Sequence, residues 1–201
     1  RQMCIRDRGQ GYRFPSMAEL FISTNQSGLE IYPNPELKPE SGWSSEIGIK
    51  QGVKTGNWMG YIDVAAFIQQ YEDMMEFTFG QWGGQDKPFY GLGFKSVNVG
   101  TTRITGAELS VSGQGKINQN LTINIIAGYT YMHPISLELD QVYAESIHGQ
   151  ELTYKNSGSD STMLKYRYKH IAKADIEVVF KGASIGGLSL IHISEPTRLG
   201  M

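Results

Sequence analysis

The chain has almost no cysteine, since Cys4 is the only one among 201 residues. Its scarcity argues against disulfides, thiolate metal sites and cysteine nucleophiles alike. No run of 18 or more apolar residues occurs either, which excludes a transmembrane helix. Basic residues show no excess, because the formal net charge is −2, and that is no electrostatic footprint for nucleic acid.

The two ends of the chain can encode one another in antisense. Residues 3–7 can be written ATG TGT ATA AGA GAC, and the reverse complement lies inside CTG TCT CTT ATA CAC ATC, which encodes residues 188–193. Such an inverted repeat is typical of translated sequencing-adapter sequence, which is excluded from fold reasoning. We therefore interpret residues 1–8 and 188–201 as adapter-derived, and residues 9–187 as an internal piece of a longer protein.

Removing these ends also removes Cys4 and shifts the charge balance. The 18 basic residues become 14 and the 20 acidic residues become 18, so the remaining segment carries a net charge of −4.

Residues 164–180 carry one sequence at even positions and another at odd positions. The even positions are Leu164, Tyr166, Tyr168, His170, Ala172, Ala174, Ile176, Val178 and Phe180. The odd positions are Lys165, Arg167, Lys169, Ile171, Lys173, Asp175, Glu177 and Val179. A period of two predicts a strand with one apolar face and one charged face. Its 17 residues exceed the usual strand length but suit the wall of an outer-membrane β-barrel, with lipid outside and water inside.

Four more segments repeat this pattern, and a sixth strand is expected after a turn at 182–184. The predicted strands cover 43–53, 58–80, 94–116, 121–132 and 163–181. Near Arg103 and Ile104 the phase of the alternation changes, which indicates a β-bulge. The fold class is therefore all-β, a transmembrane antiparallel meander of five to six strands that forms part of a larger barrel.

Connections between these strands alternate in length. Short turns are predicted at 54–57, 117–120 and near 182, and long loops at 81–93 and 133–162. Outer-membrane barrels combine short periplasmic turns with long extracellular loops. On the apolar face, an aromatic girdle is expected near the long-loop end, from Tyr129, Tyr131, Tyr166 and Tyr168. Several strands exceed the 9–11 residues that cross a bilayer, so they should project beyond it.

Four segments carry a family resemblance. They are Gly11-Tyr12-Arg13-Phe14-Pro15-Ser16-Met17-Ala18-Glu19, Asn34-Pro35-Glu36-Leu37-Lys38-Pro39-Glu40, Asp63-Val64-Ala65-Ala66-Phe67 with Tyr71-Glu72-Asp73-Met74-Met75-Glu76, and Asn98-Val99-Gly100 with Arg103-Ile104-Thr105-Gly106-Ala107-Glu108. In this order they resemble the "GYRxPSxxE", "NPxLKPE", "DVAxFxxxYxDMIE" and "NxGxxRIxGxE" segments of TonB-dependent outer-membrane receptors. The style of the sequence is most like receptors from Bacteroidetes-type bacteria. Residues 9–187 would then be a fragment of the receptor's β-barrel domain.

The resemblance implies a barrel of about 22 strands with a plugged lumen. It also implies an active transporter that takes up a scarce solute such as a siderophore, haem, cobalamin or a glycan. Its partners would be outer-membrane lipid, an N-terminal plug, the TonB complex and the solute, and no cofactor or nucleic acid is implied. Plug and TonB-binding segment would lie upstream of this piece.

Charged residues of the inward faces are candidates for contact with the plug or the lumen. They are Glu46, Asp63, Glu108, Lys165, Arg167, Lys169, Lys173, Asp175 and Glu177. Pairing with neighbouring strands and the plug is the simpler interpretation, ahead of direct contact with substrate. Arg13 and Glu40 lie in the motifs, and we expect them to brace the upper barrel or the plug.

Aromatic residues of the 81–93 loop are the candidates for ligand binding. Trp82, Phe89 and Tyr90 can stack on a sugar ring or an aromatic siderophore, or simply anchor the loop. Acids of the 133–162 loop lack the spaced pattern of a calcium loop, so no metal site is predicted.

An enzyme is not expected, because the histidines are isolated and no Ser or Cys lies in a recognisable nucleophile setting. Two other classes remain open. An outer-membrane porin or enzyme would share the wall pattern, and a soluble β-sandwich binding module would need both exposed faces polar.

Overall fold

The computed structural model describes residues 2–26, 28–84, 86–146, 148–157, 162–164 and 167–194. The chain is almost entirely β-structure, as the alternation predicts. Its strands are β1 Gln2–Arg13, β2 Thr24–Gln26, β3 Leu29–Tyr32, β4 Glu40–Thr55, β5 Trp58–Glu72, β6 Met75–Gln81, β7 Leu92–Asn98, β8 Thr102–Asn118, β9 Leu121–Ser136, β10 Val142–Glu145, β11 Glu151–Thr153, β12 Tyr168–Phe180 and β13 Ala183–Ser194. Two short helices accompany them, α1 Met17–Phe21 and α2 Tyr154–Ser157, with a 3-10 turn at Pro88–Gly91.

Seven strands form one antiparallel sheet in the order β1-β4-β5-β8-β9-β12-β13. Tight turns at residues 56–57, 119–120 and 181–182 join β4 to β5, β8 to β9 and β12 to β13. The connections at the opposite end are long. This confirms the antiparallel meander and the alternation of short and long connections, and among the described residues the sheet does not close on itself.

Strand register places the apolar residues of neighbouring strands side by side. Directly opposed residues of an antiparallel pair share a face of the sheet. One row across five strands is Ile49, Val64, Leu109, Tyr129 and Ala172. We call this side the apolar face.

The next row along the strands lies on the other side, which we call the polar face. Its members are Lys50, Asp63, Ser110, Gly128 and Lys173. A shift of one residue in any strand would exchange the two faces, so the observed register keeps charge and hydrocarbon apart.

Aromatic residues gather on the apolar face toward the long-connection end. The Tyr129 hydroxyl lies 2.7 Å from Nδ1 of His170, and the ring centroids of Tyr131 and His170 are 5.3 Å apart. A register shift between Tyr168 and His170 turns Tyr168 to the other face, opposite Ser194, where its ring centroid lies 4.7 Å from that of His192. Tyr129 and Tyr131 therefore lie at the predicted girdle position, the prediction is wrong for Tyr168, and Tyr166 lies outside the described residues.

The alternation is reversed at the start of β1, a strand that the sequence did not predict. Arg6 lies opposite Ile47 on the apolar face, whereas Ile5 lies opposite Gly48 on the polar face. The first part of β1 therefore pairs through its backbone without sharing the two-faced pattern of β4.

Two long strands predicted as continuous are each broken. The segment 58–80 divides at Asp73, which has a φ of 52°, into β5 and β6. The segment 94–116 divides at residues 99–101 into β7 and β8. Hydrophobic alternation alone could not reveal the breaks, because residues on both sides of each break continue to be apolar at intervals.

The predicted bulge at Arg103 and Ile104 is wrong. Pairing with β5 and β9 runs unbroken through both residues, and the register of β8 shifts instead between Lys116 and Asn118. Arg103 lies on the apolar-face side, where it donates to Oε1 of Gln70 at 2.8 Å. Arg103 lies beyond the row of girdle residues, where side chains of the apolar face are no longer expected to contact lipid.

A second, smaller assembly, which we call the cap, lies at the long-connection end and comprises β2, β3, β6, β7, β10, β11 and α2. β6 and β7 form a hairpin within a four-stranded sheet of order β2-β3-β7-β6. The hairpin β10–β11 and α2 pack against it around a buried core, so the described part of the predicted 133–162 loop contains two strands and a short helix. That core contains Met74, Val99, Tyr143, Ala144, Tyr154 and Leu164. Among the described residues, no helix is both long and apolar enough to cross a membrane.

Gly106 is predicted to be intolerant of any side chain. A Cβ there would collide with the Phe67 ring and the carbonyl oxygen of Tyr131. We expect Gly106→Ala to lower the free energy of unfolding of the parent protein by about 1–3 kcal/mol through overpacking. Gly11→Ala is the control, since nothing lies within 4 Å of its added Cβ. Equal urea midpoints for the two variants would contradict the register described here.

Candidate functional site at the rim

The long-connection end of the large sheet gathers the motif segments that are distant in sequence. Residues 11–19, 34–40, 73–76 and 98–101 meet there, and we call this region the rim. Its members come from the end of β1, the entry to β4, and the two breaks between wall and cap strands. The rim is therefore where the wall is joined to the smaller sheet.

Arg13 lies between two carboxylates at the rim. Its guanidinium forms an ion pair with Glu19 and lies 3.8 Å from Oε2 of Glu40. The same Glu40 oxygen accepts the backbone N–H of Met75 at 2.9 Å, at the start of β6. The two residues expected to brace this end thus connect β1, β4 and β6.

Glu19 has a second task in a capping box at the start of α1. Its carboxylate accepts the backbone N–H and the hydroxyl of Ser16, both at 2.8 Å, while Ser16 Oγ accepts the Glu19 N–H at 3.2 Å. The backbone hydrogen bond from Ser16 is the main reason that the pKa of Glu19 is lowered, with Arg13 adding to it. The carboxylate is therefore held ionised at the rim.

Asn98 ties three segments together with one side-chain amide. Its Nδ2 donates to the carbonyl oxygens of Lys38 at 3.0 Å and Asp73 at 2.7 Å. Its Oδ1 accepts the Lys38 N–H at 2.9 Å. Nearby, Asn34 donates to the carbonyl oxygen of Ser96 at 2.8 Å, and Leu37 is buried. The segment 34–40 is thereby held across the β6–β7 hairpin.

The half-buried carboxylate of Glu76 links the cap helix α2 to Arg167 at the rim. Glu76 accepts a hydrogen bond from the Tyr154 hydroxyl at 2.7 Å and lies 3.3 Å from NH2 of Arg167. Burial is the main cause that raises the pKa of Tyr154, and the neighbouring Glu76 charge adds to it. The hydroxyl therefore stays a proton donor to Glu76.

A cleft of about 300 Å³ opens between these contacts. It is lined by Arg13, Glu40, Tyr71, Met74, Met75, Ile104 and Arg167. Two cations, one carboxylate and two thioethers give it a mixed lining, suited to a partly apolar solute that carries an anionic group.

The three aromatic residues predicted for ligand stacking are in two different environments. Trp82 is half-buried against the cap core, with Nζ of Lys95 5.4 Å from its ring centroid. Phe89 and Tyr90 are exposed on the 3-10 turn, with φ values of 51° and 57°. The structure therefore leaves Phe89 and Tyr90 accessible and makes Trp82 part of the packing.

The sequence interpretation missed another aromatic group close by. Phe77 stacks on Phe94 with ring centroids 5.1 Å apart, and Phe79 meets Phe94 edge-on at the same distance. Phe77 and Phe79 remain 51% and 40% exposed. The signal was present as alternation in residues 75–81, but the segment was assigned to a continuous wall strand.

The charged ladder predicted for the inward faces lies on the polar face. Lys50 Nζ is 3.7 Å from Oδ2 of Asp63, and Asn124 donates to Glu177 at 2.7 Å. Thr130 donates weakly to Glu108 at 3.4 Å. The register also places further members on this face, which are Glu46, Lys173 and Asp175. Lys169 lies at the irregular start of β12, Arg167 precedes it at the rim, and Lys165 lies outside the described residues.

Histidines are not brought together into a catalytic or metal-binding group. His170 pairs with Tyr129 on the apolar face, and His133 lies opposite Thr105 in the β8–β9 ladder. Within the described part of the chain, no cluster of three His, Cys, Asp or Glu side chains could hold a metal ion.

Asn98→Asp is expected to loosen the rim. The carboxylate would keep the bond from the Lys38 N–H but lose both donated hydrogen bonds and face two carbonyl oxygens. We expect a loss of about 1–3 kcal/mol in local stability, seen as faster amide hydrogen exchange of residues 34–40 and 73–76. Asn118→Asp is the matched control, because that side chain only accepts a bond from the Asn120 N–H. Unchanged exchange in Asn98→Asp would show that the amide does not hold the rim.

Acid should release α1 from the rim. Because the pKa of Glu19 is lowered by folding, its contribution is present above its ordinary value of 4.5 and is lost as the pH falls toward the folded value. Hydrogen exchange of residues 16–22, corrected for intrinsic rates, should accelerate below about pH 4.5 relative to neutral pH. Glu19→Gln should abolish this pH dependence and the exposed Glu36→Gln should keep it. The same acid response in Glu19→Gln would assign it to another group.

Comparisons with known proteins match this architecture. The family model described as "TonB dependent receptor-like, beta-barrel" matches residues 9–186. The haemoglobin and haemoglobin-haptoglobin-binding protein A of Haemophilus influenzae is 23% identical over 94% of this chain and 19% of its own length. A haemoglobin-haptoglobin-binding protein A of the same organism is 20% identical over 84% of this chain and 19% of its own length. The chain thus spans about a fifth of the length of these relatives. Proteins of this family are outer-membrane transporters of Gram-negative bacteria rather than enzymes. The chain belongs to this family and is part of a TonB-dependent receptor β-barrel.

Proposed function

We propose that the parent protein is an outer-membrane receptor that binds a scarce solute at the cell surface and imports it with energy supplied through TonB. The observation that carries this proposal is the large sheet itself. One face is apolar with a Tyr–His band, and the other holds paired and unpaired charges. A sheet with these faces suits lipid on one side and a water-filled or plugged lumen on the other.

The rim and cap suit the outer mouth of such a barrel. Connections at this end are long, and their described residues include strands and short helices, whereas those at the opposite end are two-residue turns. The cleft beside Arg13 and Arg167 and the exposed rings of Phe89 and Tyr90 offer a solute both cationic and aromatic partners. We assign Phe89 and Tyr90 to first contact with the solute and Trp82 to holding their loop.

The polar-face charges are proposed to contact the plug or bound water rather than the solute. Lys50 and Asp63 form an ion pair with one another, and Glu177 accepts a hydrogen bond from Asn124. Glu46 and Asp175 face the same side without an ion pair to any described residue. Their partners are expected in the plug, which would lie upstream in the chain.

Haem is the first solute to test, because both relatives are named for binding haemoglobin. Siderophores, cobalamin and glycans are the other classes that receptors of this kind take up. Nothing in the rim geometry favours a passive pore or an enzyme over a receptor.

We also propose that residues 1–8 and 188–201 do not belong to the native barrel. Support comes from the antisense relation of the two ends and from the placement of Arg6 on the apolar face opposite Ile47. Arg6 interrupts the apolar pattern in the row of Tyr131, and at this interfacial depth a lipid-facing guanidinium costs about 1 kcal/mol or less. Sequencing the source gene across both junctions tests this, and finding codons for residues 1–8 in frame there would contradict it.

Uptake by the parent protein tests the transport proposal. The full-length gene is expressed in a bacterial strain that lacks its own haem and siderophore receptors, with and without a functional TonB. Growth should depend on one supplied iron or vitamin source, such as haemin, haemoglobin, a ferric siderophore or cobalamin, and should need TonB. Equal passage of several unrelated small solutes without TonB would instead identify a pore.

A further inference from the structure

β6 is an open edge of the cap sheet. In the order β2-β3-β7-β6 it pairs with β7 alone, and no other described strand pairs with it. The opposite edge, β2, is only three residues long and polar, which are common protections of an edge. β6 has seven residues, with the sequence Met-Glu-Phe-Thr-Phe-Gly-Gln.

The pairing of β6 decides which backbone groups point outward. The even-numbered residues of β6 and its flanks form the backbone hydrogen bonds to β7. At one end the Trp82 N–H donates to the carbonyl oxygen of Gly91 at 3.0 Å, and at the other the Val99 N–H donates to the carbonyl oxygen of Met74 at 2.8 Å. In an antiparallel strand, alternate residues direct their N–H and C=O groups to opposite sides. Those of Phe77, Phe79 and Gln81 therefore face the open edge.

Glu40 shows that the outward-facing groups of this edge form hydrogen bonds. Its carboxylate accepts a hydrogen bond from the N–H of Met75, the first of these groups. Beyond Met75 the edge continues for Phe77 and Phe79 with no further strand beside it among the described residues. Backbone groups that repeat every second residue are complementary to an extended polypeptide, not to a compact solute.

The side chains beside this edge are equally exposed. Phe77 and Phe79 stack with Phe94 and stay about half accessible. An edge strand is usually protected by charge, proline or brevity. The one charged residue of β6, Glu76, is instead directed onto Tyr154 and Arg167. The outward-facing backbone groups of β6 and the exposed rings of Phe77 and Phe79 therefore lie next to one another on the same strand.

We propose that the β6 edge binds an extended segment of a protein ligand, which adds to the cap sheet as a fifth strand. Apolar side chains at alternate positions of that segment would pack on Phe77 and Phe79. This inference rests on the proposed function and specifies its partner class: the scarce solute is delivered by a protein that the receptor binds directly.

The test uses the full-length receptor in outer membranes, with haemoglobin as the probe. Residue-resolved hydrogen exchange should show that haemoglobin slows the Phe77, Phe79 and Gln81 amides at least about tenfold, whereas β2 is unaffected. A photo-crosslinking phenylalanine analogue at position 77 or 79 should couple to haemoglobin. The same analogue at Phe21, exposed on α1, is the matched control and should not couple.

Mutation gives a second measurement. Phe77→Ala with Phe79→Ala should weaken haemoglobin binding about tenfold or more, as expected for truncating two aromatic anchors, and Phe21→Ala should not. Outer-membrane insertion is checked by heat-modifiable migration of each variant. The exchange and crosslinking data on otherwise unaltered receptor decide the question if the double variant fails to fold.

The outcomes separate the two proposals. Haemoglobin binding without protection or crosslinking at β6 overturns the edge inference and leaves the receptor proposal intact. TonB-dependent import of a free solute with no protein bound also overturns it, since the partner class would be wrong. Absence of any TonB-dependent import removes the proposed function, and this inference falls with it.

Discussion

The structure depends on a register that keeps the apolar side chains of neighbouring strands on the same face of the large sheet. A strand presents alternate residues to opposite sides, so one register gives every strand the same apolar and polar faces. The row Ile49, Val64, Leu109, Tyr129 and Ala172 shows that this holds across five strands. Apolar side chains exposed in this way would be a liability in water, but they are the outer surface that a membrane barrel needs.

The rim adds a second level of organisation to this wall. Arg13, Glu40 and Asn98 each connect segments that are far apart in sequence, and they do so by hydrogen bonds to backbone groups as well as by charge. These contacts divert β6 and β7 from the wall into the smaller sheet. The motif residues thus have a structural role, which is to position the cap whose exposed aromatic residues are available to ligands.

The faces of the five central strands could be predicted because a period of two is local and needs no knowledge of partners. Long-range features could not. The break at Asp73 depends on a left-handed backbone that Asn98 supports from 25 residues away, and alternation carries no trace of that contact. The sequence likewise places Trp82 in a loop, but tertiary packing against the buried core of the cap half-buries its side chain. The family resemblance points to the rim residues Arg13 and Glu40, whereas alternation alone places Phe77 and Phe79 in a continuous wall strand.

Spin labels in the parent protein, reconstituted in a lipid bilayer, test the two-faced sheet most directly. Labels at Ile125 and Ile176 lie on the apolar face, and labels at Asn124 and Asp175 lie beside them on the polar face. The account predicts that oxygen, which concentrates in lipid, relaxes the first pair more strongly, and that a water-soluble nickel chelate relaxes the second pair more strongly. Nickel-chelate accessibility at Ile125 and Ile176 equal to that at Asn124 and Asp175 would contradict it.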